Sequence, residues 1–300
     1  MPADSITAPP FGRMLTAMVT PFNSDGSLDA VGVGDLATYL VAQGNDGLIV
    51  NGTTGESPTT TDAEKEAVVR AVAEAVGDRA HVVAGVGSND TAHTLELARA
   101  AEKAGASALL VVSPYYNKPP QAGLVEHFQQ IADATELSLM LYDIPARTGV
   151  PIKTETLVRL AEHPKIVAVK DAKDDLAASS EVLARTDLAY YSGTDILTLP
   201  LLSVGAVGVV SVVSHVVTPQ LVQMISAFVA GDVAGARSIH QQLLPVFEGV
   251  FRSQGAILIK AALSLLALPV GPVRLPLVDA TADEVVQLRA DLAAGGVLTP

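Results

Sequence analysis

Lys170 closes an apolar, β-branched run, Ile166-Val167-Ala168-Val169, and is followed by Asp171. A lysine in that position is partly desolvated, which disfavours the ammonium and brings its pKa toward the range of about 7–8 that a nucleophilic amine needs. A neutral amine there can attack a carbonyl and form a Schiff base. Taken alone, the residue fits better a second reading: a strand-ending lysine that lays its stem along apolar surface and reaches solvent or pairs with Asp171. Tyr142 ends another apolar run, and its phenol, with an ordinary pKa of about 10, can shuttle a proton if linked to other hydroxyls. It can also be a core aromatic with a satisfied hydroxyl. Thr53 and Thr54 supply hydroxyls between Gly52 and Gly55, and the glycines let backbone amides approach a carboxylate closely; an ordinary turn would look the same. Arg147, in the Pro/Gly-bounded stretch Pro145-Ala146-Arg147-Thr148-Gly149, carries a fork suited to bidentate capture of a carboxylate, or to a surface ion pair. Tyr115 and Tyr116 lie between Pro114 and Pro119, a setting in which exposed aromatics mark interfaces.

Other chemistries lack their residues. The chain of 300 residues has no Cys, which removes disulfides, thiol catalysis and Cys-ligated metal. Its six His, at 81, 93, 127, 163, 215 and 240, form no His-x-His pair and no H-E-x-x-H, so a zinc-dependent aldol mechanism has no ligand set. A net charge of −13 argues against nucleic-acid binding. Residues 1–10 have neither a basic nor an apolar signal region, and read as a short frayed arm. Residues 196–231 carry no Asp, Glu, Lys or Arg, long enough to span a bilayer. Pro200, Gly205, Gly208, His215 and Pro219 interrupt that stretch and its flanks are acidic, so a helix, a buried strand and another helix in series are expected instead.

The elements that must position these groups alternate. Apolar runs near 14–20, 46–50, 81–86, 108–112, 138–142, 166–170, 188–191 and 207–212 read as eight strands. Helical patterns near 29–43, 62–76, 91–104, 121–134, 154–162, 175–185, 195–204 and 219–229 lie between and after them. Continuous rather than alternating strand hydrophobicity indicates parallel strands covered on both faces. An open doubly wound sheet would carry a Gly-rich loop after its first strand, whereas Thr20-Pro21-Phe22 stands there. The expected fold is therefore α/β, a (β/α)₈ TIM barrel over 12–231, with a C-terminal helical appendix over 232–300 built from helices near 233–251, 256–266 and 282–293. In such a barrel catalytic groups sit at the C-terminal strand ends, which is where Lys170, Tyr142 and the Gly52–Gly55 turn fall.

Four motifs, Gly52-Thr53-Thr54-Gly55-Glu56-Ser57, Pro114-Tyr115-Tyr116-Asn117-Lys118-Pro119, Tyr142-Asp143-Ile144-Pro145-Ala146-Arg147-Thr148-Gly149 and Val169-Lys170-Asp171, resemble the dihydrodipicolinate synthase family in matching order, from about residue 12 to the C-terminus. The resemblance implies a pyruvate-dependent, Schiff-base class I aldolase of lysine and diaminopimelate biosynthesis, condensing pyruvate with L-aspartate 4-semialdehyde. It implies that Lys170 forms the Schiff base and that Tyr142 moves protons through Thr53 and Tyr116, the latter reaching in from a neighbouring subunit. Thr54, with the backbone around Val210 and Gly193, would hold pyruvate, and Arg147 the semialdehyde's carboxylate. It further implies a cytoplasmic homotetramer with no cofactor, metal, nucleic acid or membrane partner. Related barrels that cleave sugar acids, such as N-acetylneuraminate lyase and keto-deoxy-sugar-acid aldolases, share the lysine and tyrosine; Arg147 favours the synthases. A silent pyruvate-binding protein on this fold is the other alternative, and would not need the whole relay. Family members inhibited by lysine carry polar groups, commonly including His and Glu, where this chain keeps Asn89 and Tyr115 but places Asp62, Lys65 and His93. Feedback inhibition by lysine is therefore expected to be weak or absent.

Overall fold

The computed structural model describes residues 9–268 and 270–299; the arm read at residues 1–10 lies almost wholly outside them. Eight strands, β1 (Met14–Ala17), β2 (Gly47–Val50), β3 (His81–Gly85), β4 (Ala108–Val112), β5 (Ser138–Asp143), β6 (Ile166–Asp171), β7 (Ala189–Ser192) and β8 (Gly208–Ser211), pair in sequence order and close into a barrel. All pairings are parallel, β8 returning to β1 through Val210 opposite Leu15. β1, β2, β7 and β8 are buried along their whole length, as strands packed on both faces must be. This is the (β/α)₈ TIM barrel that the strand patterns predict.

The helices begin where side chains satisfy their free N–H groups. Asp29, Asp90 and Asp175 cap α1 (Ala30–Ala42), α3 (Thr91–Ala104) and α7 (Leu176–Arg185). Thr61 and Glu64 form a reciprocal capping box on α2 (Asp62–Val76). α4 (Gln121–Asp133) and α6 (Thr154–Leu160) complete the coat before α7. Several details differ from the sequence pattern. β1 spans only Met14–Ala17: the Met18 N–H still donates to Ile49 O at 2.9 Å, but the Val19 N–H donates to His215 Nε2 at 3.1 Å. One helical turn, α5 (Pro145–Thr148), forms after β5 with Pro145 at its start, where proline's missing N–H costs nothing. The expected helix over 195–204 divides into a 3₁₀ turn, Asp195–Leu197, and α8 (Thr198–Ser203).

α9 (Ser214–Val229) starts earlier than expected and is broken at Val217, whose φ of −135° is not helical, just before Pro219. A proline inside a helix removes one ladder bond and clashes with the preceding turn. Residues 196–231 thus form short elements, and among the described residues no helix is long and apolar enough to cross a membrane. α10 (Val233–Val250), α11 (Gly255–Leu265) and α12 (Ala282–Ala294) follow; α10 packs on α9 and α12, and α11 on α9. We propose that residues 12–231 form the barrel unit and residues 232–300 the helical appendix.

Candidate active site

β5 and β6 pair so that Tyr142 and Lys170 are Cα partners at the same height of the barrel. Lys170 Nζ lies 4.3 Å from the centre of the Tyr142 ring. Lys170 is only 5% exposed. Burial brings its amine down to about 8, a drop to which Arg147 adds and which the Asp195 carboxylate opposes. Asp171 is not its partner: that carboxylate accepts from the Ser179 hydroxyl and from the Lys173 N–H at 2.8 Å. The lysine therefore neither reaches solvent nor is locked in an adjacent ion pair, the two features of its purely structural reading. Tyr142, also 5% exposed, is pushed up to about 12, chiefly by burial, against the pull of Arg147 and of a hydrogen bond with Thr53. A phenol so shifted stays protonated beside a lysine that is partly neutral near pH 8.

The surrounding backbone makes room for the lysine stem. A Cβ at Gly193 would stand 3.1 Å from Lys170 Cε, and the Gly193 N–H donates to Asp171 O at 2.7 Å. A side chain there would crowd the lysine stem, and its neighbours would have to shift by a few tenths of an ångström to admit it. Val210 lies fully buried in the middle of β8. The turn after β2 is held by Thr20 Oγ1, which donates to Gly55 O at 2.7 Å, and Thr54 within it is buried.

A cavity of about 630 Å³ opens at this end of the barrel, and Thr53, Tyr116, Tyr142 and Arg147 are among its walls. Lys170, Thr54, Gly193 and Val210 are not wall residues; Lys170 is joined to the cavity through the Tyr142 ring. Arg147 is exposed on α5 and forms no salt bridge among the described residues, which leaves its fork available. Tyr116 is 89% exposed with φ of +73°, and such a backbone state persists in a side-chain-bearing residue only where neighbours impose it. The same cavity extends to Asp62, Lys65 and His93. His93 Nε2 lies 2.9 Å and Lys65 Nζ 3.8 Å from the Asp62 carboxylate, and Lys65 Nζ donates to Thr60 O at 2.5 Å. Among the described residues no cluster of three or more His, Cys, Asp or Glu is arranged to hold a metal ion.

Two buried carboxylates near the lysine and tyrosine escape sequence reading. Asp195, 1% exposed, accepts from the Ser211 hydroxyl and from the Val212 N–H at 3.1 Å, and burial pushes its carboxyl up. Asp143, adjoining Tyr142, is also 1% exposed and is pushed up to about 7 by burial, with Lys173 Nζ at 3.7 Å. The only signal for Asp143 is its place at a strand end, and Asp195, which opens the turn after β7, reads more simply as a helix start.

Residues 10–295 match the model of the Dihydrodipicolinate synthetase family. The chain is 68% identical over 292 residues to a 4-hydroxy-tetrahydrodipicolinate synthase of Acidothermus cellulolyticus, covering 97% of this chain and 95% of that protein. It is 67% identical over 288 residues to 4-hydroxy-tetrahydrodipicolinate synthase 2 of Streptomyces coelicolor, covering 96% of each. Among solved structures, the dihydrodipicolinate synthase of Cyanidioschyzon merolae with lysine bound superposes with a TM-score of 0.94 at 46% identity, over 96% of this chain and 99% of that one.

Proposed function

The chain belongs to the dihydrodipicolinate synthetase family, and from that premise we propose how its residues carry out the condensation of pyruvate with L-aspartate 4-semialdehyde. It is an enzyme, a lyase with 4-hydroxy-tetrahydrodipicolinate synthase activity in lysine and diaminopimelate biosynthesis. The sugar-acid lyases and the silent binding protein are not favoured, since relatives 67–68% identical along almost the whole chain are synthases.

In the proposed reaction the neutral amine of Lys170 attacks C2 of pyruvate, and water leaves as the Schiff base forms. A proton then leaves C3, the resulting enamine attacks the aldehyde carbon of the semialdehyde, and attack of the semialdehyde's own amino group on C2 closes the ring and releases Lys170 as a free amine. Tyr142 gives and takes these protons, with Thr53 and Tyr116 continuing the relay. Thr54 and the backbone around Gly193 and Val210 hold pyruvate, and Arg147 receives the semialdehyde's carboxylate. One observation carries the reading: a lysine brought down to about 8 with its Nζ 4.3 Å from the ring of a tyrosine held up at about 12. A carbonyl substrate activated as a Schiff base calls for no metal or organic cofactor. Assembly as a cytoplasmic homotetramer belongs to the same proposal; the 89% exposure of Tyr116 beside the cavity supports its use across an interface.

The test is borohydride reduction in the presence of pyruvate, followed by mass spectrometry of the peptide containing Lys170. A reduced pyruvate adduct on that lysine is expected; its absence, or its appearance on another lysine, refutes the mechanism.

A further inference from the structure

Glu56 belongs to the motif after β2, yet it has no place in the chemistry above. It is also one of two side-chain-bearing residues in the left-handed backbone region that bracket the Gly52–Gly55 turn: Asn51 and Glu56 each have φ of +56°. Such residues stay there only where the surroundings fix them. At Asn51 the hold is local, with Nδ2 donating to Lys65 O at 3.0 Å. At Glu56 it comes from the far end of the chain. Lys260 Nζ, on α11, lies 2.7 Å from Glu56 Oε1, with the two side chains 4% and 1% exposed. The Arg274 N–H donates to Glu56 Oε2 at 2.7 Å.

This contact is the centre of a larger clasp. Lys260 Nζ also donates to Pro272 O at 2.8 Å and stands 4.4 Å over the Phe22 ring, while the Arg274 guanidinium stands 4.0 Å over the same ring. Arg274 donates to Gly26 O at 2.8 Å, to Thr59 O at 2.9 Å, and through its fork to both oxygens of Glu64 at 2.6 and 2.9 Å. Gly271 lets the strap formed by residues 270–274 lie close against the loop after β1, because a Cβ there would stand 1.7 Å from Phe22 O. The strap and Lys260 thus grip the loop after β1, the Glu56 end of the turn after β2 and the start of α2.

We infer that Glu56, Lys260 and Arg274 are positioning residues for the condensation, through which the C-terminal helices hold Thr53 and Thr54 in their working place. Removing Lys260 strands a buried carboxylate at the end of the turn, and the turn must shift or rehydrate to relieve it. A misplacement near 1 Å costs about 100-fold in rate when the displaced group takes part in the chemistry. The inference rests on the roles proposed for Thr53 and Thr54.

A double-mutant cycle tests it. Lys260→Met, Thr53→Val and the double variant are compared for kcat, pyruvate KM and borohydride-trapped adduct at saturating pyruvate. Lys260→Met should lower kcat/KM roughly 10- to 100-fold while still forming the adduct. In kcat at saturating pyruvate, where the pyruvate contact of Thr54 no longer counts, the double variant should fall within about threefold of Thr53→Val alone, because both then act through one hydroxyl. Losses that multiply in full would mark the clasp as generally structural and overturn the inference. Arg274→Gln provides a second cycle if Lys260→Met does not fold, since its side chain and that of Glu64 are 18% and 21% exposed and no fully buried charge is left alone. Absence of the adduct in the unaltered enzyme refutes the mechanism itself; an adduct everywhere with unchanged kinetics in both clasp variants refutes the clasp alone.

Discussion

The pH dependence of adduct formation follows directly from the burial of Lys170. With its amine at about 8, about one quarter of the enzyme carries the neutral nucleophile at pH 7.5, against about one part in a thousand for a lysine at its ordinary value near 10.4. The gain is roughly 200-fold in reactive species, equivalent to about 3 kcal/mol of activation free energy. Mixing enzyme with pyruvate well below saturation, quenching with borohydride at timed intervals and counting the adduct by mass measures this rate for the free enzyme. Between pH 6 and pH 7 the rate should rise close to tenfold, then level off above about pH 8. The direction is fixed by the chemistry, since the amine loses its proton as pH rises. Arg147→Ala should move the break upward, because Arg147 helps hold the lysine down. A rate still climbing tenfold per unit at pH 9.5, or one flat from pH 6, refutes the attribution of reactivity to desolvation.

Arg147→Ala should also separate the two substrates. Its fork is exposed and unpaired among the described residues, so the semialdehyde step should weaken about 10- to 100-fold more than adduct formation at Lys170, as charge-assisted bonds of a few kcal/mol require; equal losses in both count against the role. Lysine titrated against activity should give no half-inhibition below the millimolar range, because Lys65 and His93 already share Asp62 and present cationic or neutral groups to an incoming ammonium; sub-millimolar half-inhibition overturns this. Asp143, raised to about 7 from an ordinary value near 3.9, contributes stability fully present below the unfolded value and lost as pH rises through about 7. Between pH 5 and pH 8 that loss is roughly 2–3 kcal/mol. Urea unfolding of Asp143→Asn should show correspondingly less loss over the same interval, and an identical loss in both proteins refutes the assignment.

The barrel was legible because each strand is buried on both faces, which leaves continuous runs such as Leu109-Leu110-Val111 in the sequence. Lys170 and Tyr142 were legible for a related reason: each is a reactive group placed where such a run ends. What could not be read depends on contacts distant in sequence. Just past β1, His215 takes the Val19 N–H, and nothing near Val19 announces that. Asp195 acts on Lys170 from the turn after β7, yet its local pattern is that of a helix start. The Glu56–Lys260 pair joins the second βα loop to the eleventh helix, and neither residue's neighbours point to the other. Val210 and Gly193 came from family resemblance alone, whereas Thr54 was marked by its place in a Gly-flanked turn; the close approach of Gly193 to Lys170 Cε gives that glycine a steric reason.

The chemistry and the fold have one physical cause in common. A closed parallel barrel must exclude water from its strands, and it does so up to the strand ends where Tyr142 and Lys170 pair. Desolvation always disfavours the charged form. For an amine the charged form is protonated, so Lys170 falls to about 8; for a phenol it is deprotonated, so Tyr142 rises to about 12. One environment therefore drives two neighbours apart in the directions that make one a nucleophile and the other a proton donor. The net charge of −13 disfavours the approach of carboxylate substrates at long range. Within the cavity, Arg147 and Lys65 supply opposite local charge, and at physiological ionic strength screening confines the repulsive field to about 8 Å from each surface carboxylate. Attraction of the substrates is thus a property of the mouth and not of the molecule. Raising salt should on this account change the capture of semialdehyde far less than removing Arg147 does.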